Sequence, residues 1–360
     1  MNALEKEIRA LIESEGPIPV SRYMALCLGH PRHGYYITRD PFGAAGDFVT
    51  APEVSQMFGE MIGIWCAEVW RAAGEPAKIN LIEFGPGRGT LMVDMLRAAK
   101  VVPAFRATID VHLVETSPTL TERQRRTLST SDTTPRWHES VTTLPAGPLV
   151  VVANEFIDAL PVDQFVKTET GWHERRVGVR DGKLAFALDP APFPQIETLL
   201  PDSARARTGA LFERRDLTPV REIARRIAAD GGAALFIDYG HTQSGFGDTL
   251  QAVRDHKPID PLQDPGEADL TAHVDFEALA RTAMQAGTHA IGPVTQGQFL
   301  RNLGIELRAE NLARGKDAAT AAAVEAALAR LIGPSPGMGE LFKSIALVHP
   351  ALGDIPGFDT

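Results

Sequence analysis

The chain has 360 residues, 44% of them hydrophobic and 23% charged, enough for one elaborated domain or two and enough to predict a globular protein ordered except at its ends. Lysine and arginine number 36 against 46 acids, a formal charge of -10, and no basic run is longer than a pair of arginines, which disfavours a broad phosphate-binding face and a nucleic-acid partner. Cys27 and Cys66 are far apart in apolar helical contexts, so neither a disulfide framework nor a zinc site is expected and a reducing compartment is the default.

The chain opens Met1-Asn2-Ala3-Leu4-Glu5-Lys6-Glu7-Ile8, with acids in its first turn and no signal-type apolar core or arginine-rich transit pattern. With no stretch near the roughly 18 apolar residues of a membrane span, the expected location is cytoplasmic. Leu4, Ile8, Leu11 and Ile12 fall at helical spacing over residues 3–15, and Asn2 with Glu5 form a capping box. Gly16-Pro17-Ile18-Pro19 ends that helix, and a short second one runs from Ser21 to Leu28. Residues 32–49 form a long glycine-rich, aromatic connector. Thr50-Ala51-Pro52-Glu53 then reads as a capping box opening a helix to about Ala73, with Met57, Met61, Ile64, Trp65 and Val69 on one face. Trp65 and Trp70 are expected in the core.

Leu81, Ile82 and Phe84 read as the end of a buried strand, Gly85-Pro86-Gly87-Arg88-Gly89 as a turn, and Thr90 onward as a helix with Leu91, Met95 and Leu96 on one side. Strand, glycine turn and helix make a nucleotide-type crevice, where a Cβ would hold a ligand off the backbone and the helix N-terminus offers free N–H groups. A dinucleotide fingerprint would need glycine at position 90, which is Thr90. A tight turn without a ligand would use the same residues. Strand and helix then alternate: 109–115 and 118–128, 149–153, and, after an interruption, 218–229 and 234–239. This predicts a parallel, doubly wound α/β sheet. The interruption is antiparallel in character, with Asp181-Gly182 as a hairpin turn. A helix over 276–286, a strand over 288–294, an alanine-rich helix over 317–331 and a last strand over 342–348 complete the chain. The expected division is 1–75 as N-terminal helices and lid segment, 76–162 and 217–350 as the core, and 163–216 as a β insertion.

Ligands in such sheets lie beyond the carboxyl ends of the strands. Glu83 ends the first strand, and Glu115 ends the second, where a carboxylate can accept both ribose hydroxyls or simply cap the next helix. Trp137-His138-Glu139-Ser140 follows the next turn; His138 has no metal partner at ligand spacing, and no metal is expected. The fourth strand ends Asn154-Glu155-Phe156-Ile157-Asp158, and the fifth Ile237-Asp238-Tyr239-Gly240-His241. Asn154, Glu155 and Asp158 could hold a nitrogen nucleophile or provide ordinary helix caps, and the fifth strand adds an acid, a phenol and an imidazole to the same edge.

Glu83-Phe84-Gly85-Pro86-Gly87-Arg88-Gly89 resembles motif I of the class I S-adenosylmethionine-dependent methyltransferases. Gly46-Asp47-Phe48-Val49-Thr50-Ala51-Pro52-Glu53, the glycine turn, residues 154–161, Phe236-Ile237-Asp238-Tyr239-Gly240 and residues 266–276 together resemble the signature blocks of the MidA-like methyltransferases, over nearly the whole chain. That family includes a mitochondrial complex I assembly factor that methylates an arginine.

The resemblance implies a class I sheet with a final antiparallel strand, S-adenosylmethionine as cofactor and a protein arginine as acceptor, on a complex I subunit or its counterpart. Glu83, Gly85, Gly87, Gly89, Glu115, His138, Asn154 and Thr50 are the expected cofactor contacts. Arginine is a permanently charged, poor nucleophile; carboxylates gripping it in bidentate fashion can localise its charge and leave one nitrogen with lone-pair character. Glu155, Asp158 and Asp238 are the catalytic candidates. Tyr35, Tyr36, Asp47, Phe48, Tyr239 and His273 are the acceptor-side candidates, with residues 35–53 expected to fold over the crevice as a lid unless its aromatics only fix the N-terminal helices to the core. A methyltransferase for a small amine or tRNA base, and an assembly chaperone that binds the cofactor without turnover, remain the alternatives.

Overall fold

Ile79–Phe84 forms strand β1, and all six of its residues are buried, as a strand covered on both faces by helices requires. The computed structural model describes residues 1–38, 50–201 and 206–359. The chain divides into two units: Met1–Phe48, Asp158–Asp216 and Gln243–His273 form one, and Val49–Ile157, Leu217–Thr242 and Val274–Thr360 form the other. Gln243–His273, which the expected division places in the core, groups with the unit that contains the N-terminal helices.

The sheet unit is an α/β fold. Besides β1, its strands are β2 (Ile109–Val114), β3 (Arg136–His138), β4 (Leu149–Asn154), β5 (Gly232–His241), β6 (His289–Thr295) and β7 (Phe342–Val348), with the two-residue strand Val274–Asp275 paired to the end of β5. Their order across the sheet is β6-β7-β5-β4-β1-β2-β3. Strands β1 to β5 run parallel to one another, whereas β7 lies antiparallel between β5 and β6. The expected final antiparallel strand is therefore present, with the strand order reversing beside β1. Val150, Val151 and Val152 are each 0% exposed, and burial of each such side chain contributes about 1.5–3 kcal/mol. Polar residues at the ends of these strands run against that trend, which draws attention to Glu83 and Asn154.

Helix Gln56–Ala72 packs across Thr90–Ala99 through glycine: a Cβ on Gly59 would come 2.5 Å from Asp94 Cβ, and one on Gly63 would come 2.7 Å from the Met95 carbonyl oxygen. Trp65 and Trp70 are buried in this core, as expected. The single helix predicted from Thr50 is broken. Ala51–Val54 and Gln56–Ala72 are separated by Ser55, whose backbone is extended and whose hydroxyl accepts the Met57 N–H at 3.2 Å. Ser55 is itself a competent N-cap and starts its own helix, while Thr50 makes no side-chain cap.

The other unit has its own core, in which Leu4, Ile8, Tyr23 and Met24 of helices Ala3–Glu15 and Val20–Gly29 pack with Val162, Val177 and Leu270. Asn2 caps the first helix through the Glu5 N–H at 2.8 Å. Strands Val162–Thr168, Gly171–Arg180, Lys183–Pro192 and Leu211–Arg215 are antiparallel, with Ile18–Pro19 added at Gly171–Arg180. Asp181 and Gly182 take the left-handed turn their sequence predicts, at φ 52° and 70°. A small sheet of Gln251–Arg254, Lys257–Ile259 and Asp269–Thr271 has no clear period in the sequence; its turn, Asp255-His256, uses left-handed residues without glycine. No helix among the described residues is long and apolar enough to cross a membrane.

Candidate functional site

The turn after β1 is built on left-handed backbone: Gly85, Gly87 and Gly89 have φ of 58°, 53° and 82°. L-residues with a side chain rarely adopt such values. A Cβ on Gly85 would also come 3.2 Å from the Phe156 ring, so the turn lies against the loop that leaves β4. Gly89 then caps helix Thr90–Ala99, whose first N–H groups have no partner within the helix.

Glu83 and Asn154 sit at the carboxyl ends of adjacent parallel strands, Glu83 opposite Val152 and Asn154 opposite Ile237. Glu83 is 2% exposed and Asn154 8%. Glu83 Oε2 and Asn154 Oδ1 are buried without a hydrogen-bond partner among the described residues. Burial pushes the Glu83 carboxyl well above the usual carboxylate range; the Met92 N–H opposes this and the Glu115 charge adds to it. Each orphaned acceptor costs about 1–3 kcal/mol, and a ligand bringing donors, above all an ammonium, removes that cost. An amino-acid end such as that of S-adenosylmethionine therefore fits.

Glu115 follows β2. Its Oε1 accepts the Ser117 N–H at 2.8 Å and its Oε2 accepts the Gln124 amide at 3.0 Å. Burial raises its carboxyl above the ordinary value, and those two donors hold the rise in check. His138, expected near an adenine, has both ring nitrogens engaged: Nε2 lies 2.9 Å from His112 Nδ1, and Nδ1 lies 3.0 Å from Thr143 Oγ1. What faces its backbone is the cofactor-type acid, since the Glu115 N–H donates to the His138 carbonyl at 2.9 Å.

Thr50 precedes the four-residue helix Ala51–Val54, which is held at both ends. The Ala51 N–H donates to Glu155 Oε1 at 3.2 Å, and Glu53 Oε1 accepts the Thr90 hydroxyl at 2.6 Å. Glu155 has φ 50°, strained for a side-chain-bearing residue, and its Oε1 also accepts from Asn154 Nδ2 at 3.0 Å.

Of the remaining candidates, Asp238 is 1% exposed, and its two oxygens accept the Ile157 and Tyr239 N–H groups, each at 2.9 Å. That arrangement ties the loop after β4 to the end of β5. Tyr239 is 9% exposed, with its ring edge-on to Phe342. Tyr35 is 0% exposed, with its ring edge-on to that of Tyr36.

In the other unit, Tyr36 donates its hydroxyl to Asp269 Oδ1 at 2.9 Å. Asp158, 6% exposed, accepts the Ala159 N–H at Oδ1. Its carbonyl, together with those of Leu160, Ala272 and His273, receives the Arg215 guanidinium. Asp47 and Phe48 lie outside the described residues, as does most of the expected lid.

Sequence reading missed Gln124, Glu53 and Arg215. Gln124 lies nine residues beyond Glu115 on the following helix, and Glu53 looked like a capping acid. Arg215 sits in a strand that the sequence did not separate from its surroundings.

Residues 61–294 match a family model described as "Putative S-adenosyl-L-methionine-dependent methyltransferase". The chain is 37% identical over 373 residues to the Danio rerio protein named "Protein arginine methyltransferase NDUFAF7, mitochondrial", covering 96% of this chain and 87% of that one. It is 39% identical over 323 residues to the Homo sapiens protein of the same name, covering 82% of this chain and 72% of that one. It also superposes on a Burkholderia thailandensis protein solved bound to S-adenosyl-homocysteine, with a TM-score of 0.87, 33% identity, and 99% and 94% of the two chains covered. The cytoplasmic expectation is corrected by these names, which describe the relatives as mitochondrial.

Proposed function

This chain belongs to the family of S-adenosyl-L-methionine-dependent methyltransferases whose model it matches, and from that premise we infer that it methylates an arginine side chain of a protein. The observation that carries the acceptor class is the similarity, over 96% of this chain, to a relative named as a protein arginine methyltransferase. A subunit of respiratory complex I or its counterpart is the acceptor that the signature blocks imply, in the mitochondrial setting of the named relatives.

The cofactor, when bound, supplies an activated methyl group on its sulfonium. In this reading Glu83 and Asn154 receive its amino-acid end, because their buried oxygens lack donors among the described residues. The turn of Gly85, Gly87 and Gly89 gives it access to the backbone, and Glu115 receives the ribose. His138 acts on the adenine side through its carbonyl's hold on Glu115 rather than through its ring. Thr50 stands at the entry of the short helix clamped to the glycine turn.

The chain's own contribution to acceptor chemistry is a carboxylate that grips the guanidinium and localises its charge. Glu155 and Asp158 are the acids assigned to that task. Tyr36 and His273 are assigned to the acceptor side with Asp158, whose unit they share.

The test is transfer of labelled methyl from S-adenosylmethionine into mitochondrial extract, resolved into protein, RNA and small-molecule fractions, followed by hydrolysis of the protein fraction. Label in methylated arginine supports the reading. Label confined to RNA or small amines, or cofactor binding without transfer to any fraction, would replace it with one of the alternatives.

A further inference from the structure

Gln124 is 0% exposed, and every hydrogen-bonding direction of its amide points at a different part of the candidate site. Its Nε2 donates to the Gly87 carbonyl at 2.9 Å and to Glu115 Oε2 at 3.0 Å, and its Oε1 accepts the Trp137 indole N–H at 2.9 Å. The amide has one workable orientation: reversed, Oε1 would face two acceptors and Nε2 would face a donor. Trp137 is held in turn, with the Arg125 guanidinium 4.2 Å over its ring.

We propose that Gln124 is a positioning residue of the cofactor site, fixing the Glu115 carboxylate and the Gly87 carbonyl in one register and so setting affinity at the ribose end. The inference rests on the cofactor reading above. A buried amide with three good partners is a rigid spacer. The Gly89 backbone completes the fit, since even a Cβ there would touch Gln124 at 3.6 Å.

The carboxylate keeps one oxygen's donor from its own loop, Ser117, and takes the other's from Gln124. Without that second donor Glu115 Oε2 loses the hydrogen bond that links it, through the same amide, to the Gly87 carbonyl. Its charge is also less well stabilised. The acid is already shifted upward by burial, and loss of the Gln124 N–H shifts it further in the same direction.

The test is calorimetric affinity for S-adenosylhomocysteine, on the full chain and on Gln124→Met, which keeps the shape and removes the amide. The expected result is an affinity loss of about tenfold or more, for a hydrogen bond to a charged group. In a Glu115→Gln background the loss on adding Gln124→Met is smaller, because the charge that the amide holds is gone. Trp137→Phe, which removes the indole donor that orients the amide, gives a smaller loss and serves if Gln124→Met does not fold.

A loss of equal factor in the Glu115→Gln background would mean that Gln124 is packing alone and overturns the proposal, as would wild-type affinity in a folded Gln124→Met or, where that variant does not fold, in Trp137→Phe. Failure of the unaltered chain to bind S-adenosylhomocysteine overturns the cofactor reading and this inference with it. Binding by the unaltered chain with no coupling between positions 124 and 115 overturns the inference alone.

Discussion

The Thr90 hydroxyl donates to Glu53 Oε1 at 2.6 Å, joining the first residue of the helix after the glycine turn to the short helix that precedes the long N-terminal one of the sheet unit. Arg88 Nη1 lies 3.7 Å from the other oxygen of the same carboxylate. Two residues of the turn region are thus tied to one acid. Thr90→Val keeps the branched shape and removes the donor. Cofactor affinity is expected to fall by about 1.5–3 kcal/mol if the turn relies on this charge-assisted bond. Calorimetry on the folded variant checks it, and affinity within a factor of about two of wild type would show that the turn holds itself.

Gly87→Val addresses the turn directly. At φ 53° a branched residue is strained, and its methyl groups would occupy the space through which a ligand reaches the backbone. The variant is expected to lose measurable binding of S-adenosylhomocysteine while unfolding cooperatively at a temperature near that of the wild type. Retained affinity in a folded variant would falsify the assignment of this turn to the cofactor.

Glu83 carries a linked pair of expectations. Burial raises its folded-state carboxyl above the unfolded value, so the stability linked to its bound proton is fully present below the unfolded value. That stability is lost as pH rises through the folded one. Glu83→Gln, which cannot ionise, is expected to flatten that decline and to make the ligand-free protein more stable than wild type at alkaline pH. It should at the same time weaken the cofactor, because the charge that matches an ammonium is gone. Thermal melts across pH, with and without S-adenosylhomocysteine, separate the two effects; a variant less stable than wild type at every pH contradicts the argument.

His112 gives the opposite sign. Burial lowers its imidazole to about 4, with the Asp110 charge opposing the shift. A depressed histidine contributes stability that is present above its unfolded value and lost as pH falls toward the folded one. Between about pH 6.5 and 5 the loss is about 1.5 kcal/mol. His112→Asn, which does not titrate, should start less stable near pH 8 for want of packing, yet show a shallower acid limb in urea denaturation. An acid limb as steep as the wild type's would point to other groups.

Much of this arrangement is legible in the chain because it is local. The alternation of short apolar strands with amphipathic helices gives the α/β sheet, and Glu83 with Gly85, Gly87 and Gly89 marks the turn by residue type alone. Asp181-Gly182 announces its hairpin in the same way. What is not legible depends on partners distant in sequence. Glu53 resembles a capping acid until Thr90 is beside it, and Ser55 breaks a helix that looks continuous because its own hydroxyl captures Met57. Asp238 and Tyr239 stand at the end of a strand, where polar side chains suggest an open edge. Only the packing of Ile157 and Phe342 around them shows an acid that accepts two main-chain N–H groups and a phenol ring set edge-on to Phe342. Gln124 has no sequence signal because a helical glutamine is ordinarily a solvated residue.

The last expectation separates the two acids assigned to the acceptor. Glu155 is placed by strain, at φ 50°, and by its acceptance of the Ala51 N–H and the Asn154 amide at one oxygen. A carboxamide can keep that acceptor oxygen, so Glu155→Gln preserves the Ala51 contact and removes the charge. Glu155→Ala would confuse the two by releasing the short helix. Asp158→Asn keeps an acceptor for the Ala159 N–H in the same manner. If charge localisation on the guanidinium is the chain's contribution, neutralising the responsible acid should lower kcat about a hundredfold or more, the scale of losing a charged bidentate contact of roughly 3 kcal/mol. Affinity for S-adenosylhomocysteine should stay near that of wild type. The measurement is single-turnover methyl transfer to an arginine-bearing protein substrate alongside calorimetry. A drop in kcat for one isosteric variant alone identifies the gripping acid, and equal drops in both show that the acids act together. Wild-type turnover in both variants would remove carboxylate assistance from the mechanism and leave positioning of the acceptor as the chain's whole contribution.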